Sequence, residues 1–177
     1  GPFISKFGPQ GSNDGDFEMP WGLCIDLNDD IYVADWGNNR VQKFSQDGKL
    51  LMKFEGTTDG LGSLKGPSGV AVDSEGDVYV TDWGNHRVQI YDANGRYITT
   101  LVGDAQEPSI WTQTYINANP EMIKARRRAD MEPEWRFRRP VAVNVDANDR
   151  IVILESARHR MQIYNKLKDY EEHSLNL

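Results

Sequence analysis

The chain has 177 residues, which is enough for one domain with a hydrophobic core, and its five tryptophans and 10% aromatic content are typical of a folded protein. Its formal net charge of −7 argues against a protein whose whole surface attracts nucleic acid or anionic membrane. The single cysteine, Cys24, excludes an intrachain disulfide and is interpreted as a small packing residue. No apolar run approaches the ~20 residues of a membrane-spanning helix.

The sequence repeats one unit three times. Residues 20–44 return as residues 67–91 and again as residues 140–164. The first two copies are 47 residues apart without a gap, and the third follows after a further 73 because 26 residues are inserted. A period in this range, made of short apolar runs and turn residues, indicates one supersecondary unit stacked several times.

Each unit predicts four short strands. An apolar run after a proline predicts the first strand, and a turn rich in Asp, Asn and Gly separates it from a second run such as VYVTD, which is β-branched and aromatic. A short link (WGNN, WGNH or SARH) leads to an alternating third strand such as RVQIY. Asp47 with Gly48, and Asn94 with Gly95, are hairpin turns that open the fourth strand.

The segments DWGNNRVQ (residues 35–42) and DWGNHRVQ (residues 82–89) resemble the NHL repeat, and the resemblance extends over most of the chain. The third copy departs from the pattern, with Glu155 for Asp, Ser156 for Trp and Arg158 for Asn. The resemblance implies an all-β fold made of β-propeller blades, each with four antiparallel strands.

The expected organisation is one propeller segment, residues 1–177, with three blades' worth of strands and one short helical insertion between the second and third repeats. A propeller typically closes with 4–8 blades. We therefore expect either half of a six-bladed ring in a longer chain or a ring completed by a second copy. The expected parts are the outer strand of a preceding blade (1–8), two blades (20–55 and 67–103), the insertion with its helix (104–139) and the last blade (140–177).

The insertion carries a helix signal and a basic stretch. Asn119 as N-cap, Pro120 at the first helical position and Glu121 in the first turn predict a helix over about residues 120–131, the only substantial helix of the chain. Residues 124–139 contain seven basic residues against three acids. We expect these arginines mainly to pair with carboxylates of the propeller; the alternative is an anion-binding or partner-docking patch that includes Arg126, Arg127 and Arg128.

An acid ends the second strand of every copy and an arginine begins the third. Because the two positions face each other across one hairpin, we interpret them as a structural ion pair repeated in each blade rather than as acid–base catalysts. The three pairs are Asp35 with Arg40, Asp82 with Arg87, and Glu155 with Arg160.

His86 and His159 occupy the same repeat position, where the first copy has Asn39. We interpret them as turn residues that hydrogen-bond the backbone. A metal site between blades is the alternative, but no matching set of carboxylates or cysteines accompanies it. No nucleophile triad, phosphate-binding glycine loop or metal-binding cysteine cluster is visible, so we expect no catalytic residue, no metal site and no cofactor.

The links between the second and third strands, and those between blades, open on one face of the propeller. We call this the loop face, and loops gathered from several blades on a rigid scaffold are common binding surfaces. For Trp36 and Trp83 the alternative interpretation is that they pack between blades instead of binding a partner. The candidate binding residues are Trp36, Asn38, Trp83, Asn85, His86, Arg126, Arg127 and Arg128.

These observations favour a non-catalytic scaffold for protein–protein interaction or assembly through the loop face, with a protein partner or a second copy that completes the ring. The resemblance also implies an alternative, because NHL-like folds include metal-dependent lyases and lactone or ester hydrolases, whose site would then lie mostly in the missing half. RNA binding through the basic insertion is a third hypothesis, and the acidic net charge argues against it.

Overall fold

The computed structural model describes residues 1–56, 60 and 62–166. Eleven antiparallel strands form three sheets in this part of the chain, two with four strands and one with three, each a meander in chain order. The fold is therefore all-β and consists of propeller blades. The strands are β1 (Pro20–Ile25), β2 (Ile31–Asp35), β3 (Arg40–Phe44) and β4 (Leu50–Phe54) in the first blade, β5 (Pro67–Val72), β6 (Val78–Asp82), β7 (Arg87–Tyr91) and β8 (Tyr97–Leu101) in the second, and β9 (Pro140–Val145), β10 (Arg150–Glu155) and β11 (Arg160–Asn165) in the third.

The turn between the first and second strands is built in the same way in all three blades. One carboxylate oxygen of the leading aspartate accepts hydrogen bonds from the backbone N–H groups two and four residues later, at 2.8–3.0 Å. This side-chain turn explains why the repeat places an aspartate after each first strand. The three residues are Asp26, Asp73 and Asp146.

The first strands of the blades approach one another closely. A Cβ atom on Gly22 of β1 would lie 2.6 Å from the Ser68 carbonyl oxygen and 2.7 Å from the Gly69 Cα, both on β5. A Cβ on Gly69 would in turn lie 3.1 Å from the Ala142 Cα on β9. Small residues are thus required where these strands converge, as expected for the innermost strands of propeller blades.

The hydrophobic core lies between the blades. Between the first and second blades it contains Tyr32, Val41, Phe54, Val70, Val80 and Tyr91, and between the second and third it contains Ala71, Tyr79, Ile90, Val143, Ile151 and Ile153. All five residues of β6 are buried, because the middle blade is covered on both faces. On the third blade, Leu154, Met161 and Ile163 are 43%, 57% and 56% exposed.

Residues 1–8 do not form the outer strand that the repeat predicts, since none of them is in a strand. The Phe7 ring nevertheless lies 5.3 Å from the Phe44 ring, just as Phe54 lies 5.5 Å from Tyr91, and both pairs are related by the 47-residue repeat. A strand needs a hydrogen-bonded neighbour, and the described residues provide none beside this segment. The aromatic packing therefore follows the repeat, whereas the backbone lacks the strand.

The insertion contains more helix than the sequence predicts. The expected helix forms as α2 (Pro120–Arg128), and the Asn119 side chain accepts a hydrogen bond from the Met122 N–H at 3.3 Å. It is preceded by α1 (Ile110–Asn117) and followed by the short α3 (Glu132–Trp135), so the expectation of a single substantial helix was wrong. The β-branched and aromatic residues of α1 obscure its helical character, although Ser109 caps it by accepting from the Thr112 N–H.

Lys166, which follows the last described strand of the third blade, makes ion pairs with the second blade. The Lys166 ammonium lies 2.6 Å from Asp73, 2.8 Å from Glu75 and 2.9 Å from Asp77, all in the turn between β5 and β6. The sequence places the remainder of the last blade in residues 167–177, which lie outside the described residues. None of the helices in the described part of the chain has the length and apolar character that a membrane crossing requires.

Candidate functional site

The acid at the end of each second strand holds the segment that leads into its own blade. Asp35 accepts a hydrogen bond from the Glu18 N–H at 2.7 Å, and Asp82 accepts one from the Lys65 N–H at the same distance. In the third blade Glu155 accepts from the Arg138 N–H at 2.8 Å. The longer Glu155 side chain thus makes the same contact as the two aspartates.

The arginine that begins each third strand pairs with this acid. The distances are 3.0 Å for Arg40 with Asp35, 2.7 Å for Arg87 with Asp82 and 2.6 Å for Arg160 with Glu155. All three carboxylates are 0% exposed. Each arginine also donates to backbone carbonyl oxygens of the preceding segment; Arg87, for example, donates to the Ser63 oxygen at 2.7 Å. The network therefore links strand, hairpin and leading loop in every blade.

Asn38 and Asn85, which the sequence analysis names as candidate binding residues, belong to this network. Asn38 Nδ2 donates to Asp35 at 2.8 Å, and Asn85 Nδ2 donates to Asp82 at 2.9 Å. Gln42, at the end of the same motif, donates to the Asp16 carbonyl oxygen at 2.8 Å. In the first blade the asparagine, arginine and glutamine of the N-x-R-x-Q pattern thus all donate to the buried Asp35 carboxylate. Asn38 and Asn85 therefore already have partners within the chain.

His86 links the second blade to the start of the third. Its backbone is left-handed, with φ 58°, and its Nδ1 accepts a hydrogen bond from the Arg139 N–H at 3.1 Å. Asn39, at the same repeat position with φ 54°, accepts from the Gly66 N–H at 2.8 Å. The His86 imidazole therefore makes the backbone contact that an asparagine amide makes one blade earlier. Among the described residues, no group of three or more His, Cys, Asp or Glu side chains could hold a metal ion.

A row of aromatic side chains crosses the loop face from the first blade to the third. The Trp21 and Trp36 rings are 5.4 Å apart, and Trp36 meets Trp83 edge-on at 6.4 Å. The Arg139 guanidinium lies 4.8 Å from the centre of the Trp83 ring. We call these four residues the tryptophan row. Trp36 and Trp83 are half-buried and do pack between blades, whereas Trp21 is 56% exposed.

Two members of the tryptophan row were missed by sequence reasoning. Trp21 has no aromatic counterpart in the other copies, where Ser68 and Val141 stand at its position, so the repeat gives no signal for it. Arg139 occupies a left-handed backbone position, φ 55°, that Met19 and Gly66 share in the other copies. Its role depends on which ring lies beneath it, and a single sequence does not contain that information.

Three of the seven basic residues of the insertion pair with acids of the insertion itself. Arg126 lies 3.1 Å from Glu134, and Lys124 lies 2.9 Å from Glu121. Arg136 pairs with Glu132, four residues earlier. The expected pairing with propeller carboxylates is not observed for these residues, because each of them pairs with an acid that is close to it in the sequence. Arg127 and Arg128 form no ion pair within the described part of the chain.

Cys24 is not an activated nucleophile. Burial, with a smaller effect of the nearby Asp26 carboxylate, raises the pKa of the Cys24 thiol to about 12. A thiol in this environment stays protonated at neutral pH and is unreactive.

A family model described as NHL repeat matches residues 17–44 and 64–91. The protein lin-41 of Caenorhabditis elegans is 47% identical over 53 residues, which are 30% of this chain and 4% of lin-41. The chain therefore matches only a small part of that relative's length. The third repeat, with its substituted motif positions, lies outside the residues that the family model matches.

Solved structures share the fold. A protein of unknown function from Bacteroides thetaiotaomicron superposes with a TM-score of 0.57 at 20% identity, over 89% of this chain and 38% of that one. Virginiamycin B lyase from Staphylococcus aureus superposes with a TM-score of 0.51 at 14% identity, over 92% of this chain and 45% of the lyase. At these identities the likeness concerns the fold alone. The family match, the repeated motif and the three meander sheets lead to one conclusion: residues 17–44 and 64–91 of this chain are NHL repeats, and its sheets are β-propeller blades.

Proposed function

We propose that this chain is a non-catalytic propeller scaffold that binds a partner protein through the tryptophan row. The observation that carries the proposal is the unbroken series of contacts from Trp21 through Trp36 and Trp83 to Arg139, across three blades. Tryptophan and arginine dominate the energetic centres of protein interfaces. Tryptophan buries a large area with few rotatable bonds, and the planar arginine guanidinium offers directed hydrogen-bond donors. Trp21 is the most exposed tryptophan of this row.

The repeated carboxylate network supports the same proposal. The acids and arginines that would be the first candidates for proton transfer are bonded to one another and to backbone groups. They hold the links that carry Trp36 and Trp83, so these two rings are ordered before a partner arrives. A surface that is ordered in advance loses less conformational entropy on binding.

The experiment is affinity capture with matched variants of exposed side chains. Trp21→Ser and Arg139→Gln alter the row, and Trp111→Ser, at a tryptophan that is 83% exposed on α1, is the control. All samples are treated with nuclease before capture. We expect the wild type and Trp111→Ser to retain a partner protein that the two row variants do not retain. Equal retention by all variants would contradict the proposal, and capture that disappears with nuclease would favour RNA binding instead.

We also propose that the outer face of the third blade is covered by a further blade. Leu154, Met161 and Ile163 are exposed there, whereas their equivalents in the second blade, Thr81, Val88 and Ile90, are at most 1% exposed. An apolar face of this kind is typical of a surface that another sheet covers. A second copy, or a blade of a longer chain, has the geometry to supply that sheet.

A further inference from the structure

The insertion contains a groove between α1 and α2. Its volume is about 440 Å³ and it is open to solvent. Ile116, Ile123 and Met131 supply apolar surface, and Ile116 is only 6% exposed. Its polar surface comes from Gln113, Asn117, Arg126 and Arg127. The volume is in the range that accommodates side chains of a bound peptide or a small ligand.

The short connection between α1 and α2 is held by hydrogen bonds. α1 ends with hydrogen bonds from the Ala118 N–H to the Thr114 oxygen at 3.1 Å and from the Asn119 N–H to the Ile116 oxygen at 3.0 Å. Asn119 then caps α2. Because only two residues join the helices and both are hydrogen-bonded, the groove is formed before any ligand binds.

The charge of the groove points to an acidic ligand. Arg126 is neutralised by Glu134 at 3.1 Å, but Arg127 lines the groove and has no ion-pair partner among the described residues. Arg127 is exposed, so its guanidinium is free to form a paired hydrogen bond with a carboxylate. The formal net charge of the chain is −7. An acidic ligand is therefore repelled by most of the surface and attracted to a local positive site such as this one.

We propose that this groove binds a short acidic peptide segment of a partner protein, with one large apolar side chain on Ile116, Ile123 and Met131 and a carboxylate at Arg127. The apolar floor favours a peptide over a nucleic acid strand, whose backbone would engage the arginines and leave the floor uncovered. The proposal rests on the protein-binding role proposed above. Its site shares no residue with the tryptophan row, so each can fail without the other.

The first test uses a library of random 12-residue peptides displayed on phage and selected on the immobilised 177-residue chain. We expect the enriched peptides to be net negative and to contain a leucine, isoleucine, phenylalanine or tryptophan. Absence of enrichment, or enrichment of basic or purely polar peptides, would overturn the proposal.

The second test measures binding of a fluorescein-labelled copy of the most enriched peptide. Arg127→Glu should weaken binding on the order of tenfold or more, because a paired guanidinium becomes a like charge. Arg128→Glu is the matched control, since it makes the same change in the same helical turn outside the groove, and it should stay within about twofold. Equal weakening by both variants would indicate diffuse electrostatic attraction and would overturn the proposal.

A third arm keeps the result independent of the tryptophan row. Replacing the acid of the peptide by its amide should weaken binding to the wild type but have little further effect on Arg127→Glu, as expected for two groups in contact. Trp21→Ser should leave peptide binding unchanged. If Trp21→Ser abolished it, the peptide would be bound at the tryptophan row and not in the groove.

Discussion

The Asp35 carboxylate and the Arg40 guanidinium lie 3.0 Å apart, with side chains that are 0% and 5% exposed. In the other two blades the acid is equally buried, but Arg87 and Arg160 are 27% and 24% exposed. Arg40 also donates to three backbone carbonyl oxygens of the leading segment. The first blade therefore carries the most completely desolvated copy of the shared network, and the three copies are not expected to contribute equally to stability.

Arg40→Ala should lower the free energy of unfolding by about 3–5 kcal/mol, because it leaves the Asp35 carboxylate buried without its partner. Arg87→Ala should cost less, since solvent already reaches Arg87. Urea denaturation followed by tryptophan fluorescence measures both values. The control is Arg96→Ala, whose pair with Asp92 is on the surface and should contribute about 0–1 kcal/mol. Equal effects of Arg40→Ala and Arg96→Ala would show that the network is not structural.

Gly22→Ala should destabilise the protein by about 1–3 kcal/mol, because the added Cβ meets backbone atoms of β5 at 2.6 and 2.7 Å and neither strand can move away. Gly69→Ala should cost less, since its nearest neighbours lie at 3.0 and 3.1 Å. The order of the two midpoints in thermal unfolding tests this relationship. A reversed order would mean that the first strands of the blades do not converge as described.

His86→Asn should be tolerated within about 0.5 kcal/mol, because asparagine accepts the left-handed backbone and can take the hydrogen bond from the Arg139 N–H, as Asn39 does from Gly66. His86→Ala should cost about 1–2 kcal/mol, since both the acceptor and the backbone preference are lost. Chemical denaturation of the two variants measures the difference. If asparagine were as harmful as alanine, His86 would have a function that its backbone contact does not explain.

Acid should weaken the contact between the second and third blades. Burial alone would raise the pKa of Asp73, but hydrogen bonds from Lys166, Tyr79 and backbone N–H groups outweigh it and hold the pKa below its ordinary value of 3.8. The stability that Asp73 contributes is therefore present above its unfolded pKa, about 3.9, and is lost as the pH falls through the lower folded value.

Asp73→Asn should accordingly flatten the loss of stability below about pH 4, as measured by urea unfolding at a series of pH values. Glu107→Gln, at an exposed acid of the insertion, is the control and should leave the profile unchanged. Identical acid profiles for the wild type and Asp73→Asn would show that the Lys166 contact does not stabilise the folded state.

The repeat made much of the fold predictable, because it indicates both where the strands lie and which residues face each other in neighbouring strands. Asp35 ends one strand and Arg40 begins the next, and the two are opposed directly in the β2–β3 ladder. The helix α1 was not predictable in the same way, since its residues favour strand and only the Ser109 cap and its packing make it helical. Likewise the contacts of Trp36 with Trp83 and of Arg139 with Trp83 depend on how neighbouring blades are placed.

Sedimentation velocity of the 177-residue chain tests most directly whether blade stacking holds this protein together. The exposed Leu154, Met161 and Ile163 occupy positions that are buried between blades one repeat earlier. An uncovered blade face should therefore associate, and we expect a dimer or larger assembly whose dissociation accompanies unfolding. Met161→Lys with Ile163→Glu should weaken that association. A cooperatively folded monomer of 20.1 kDa would contradict the proposal, because a blade face of this kind would then be stable in water without a partner.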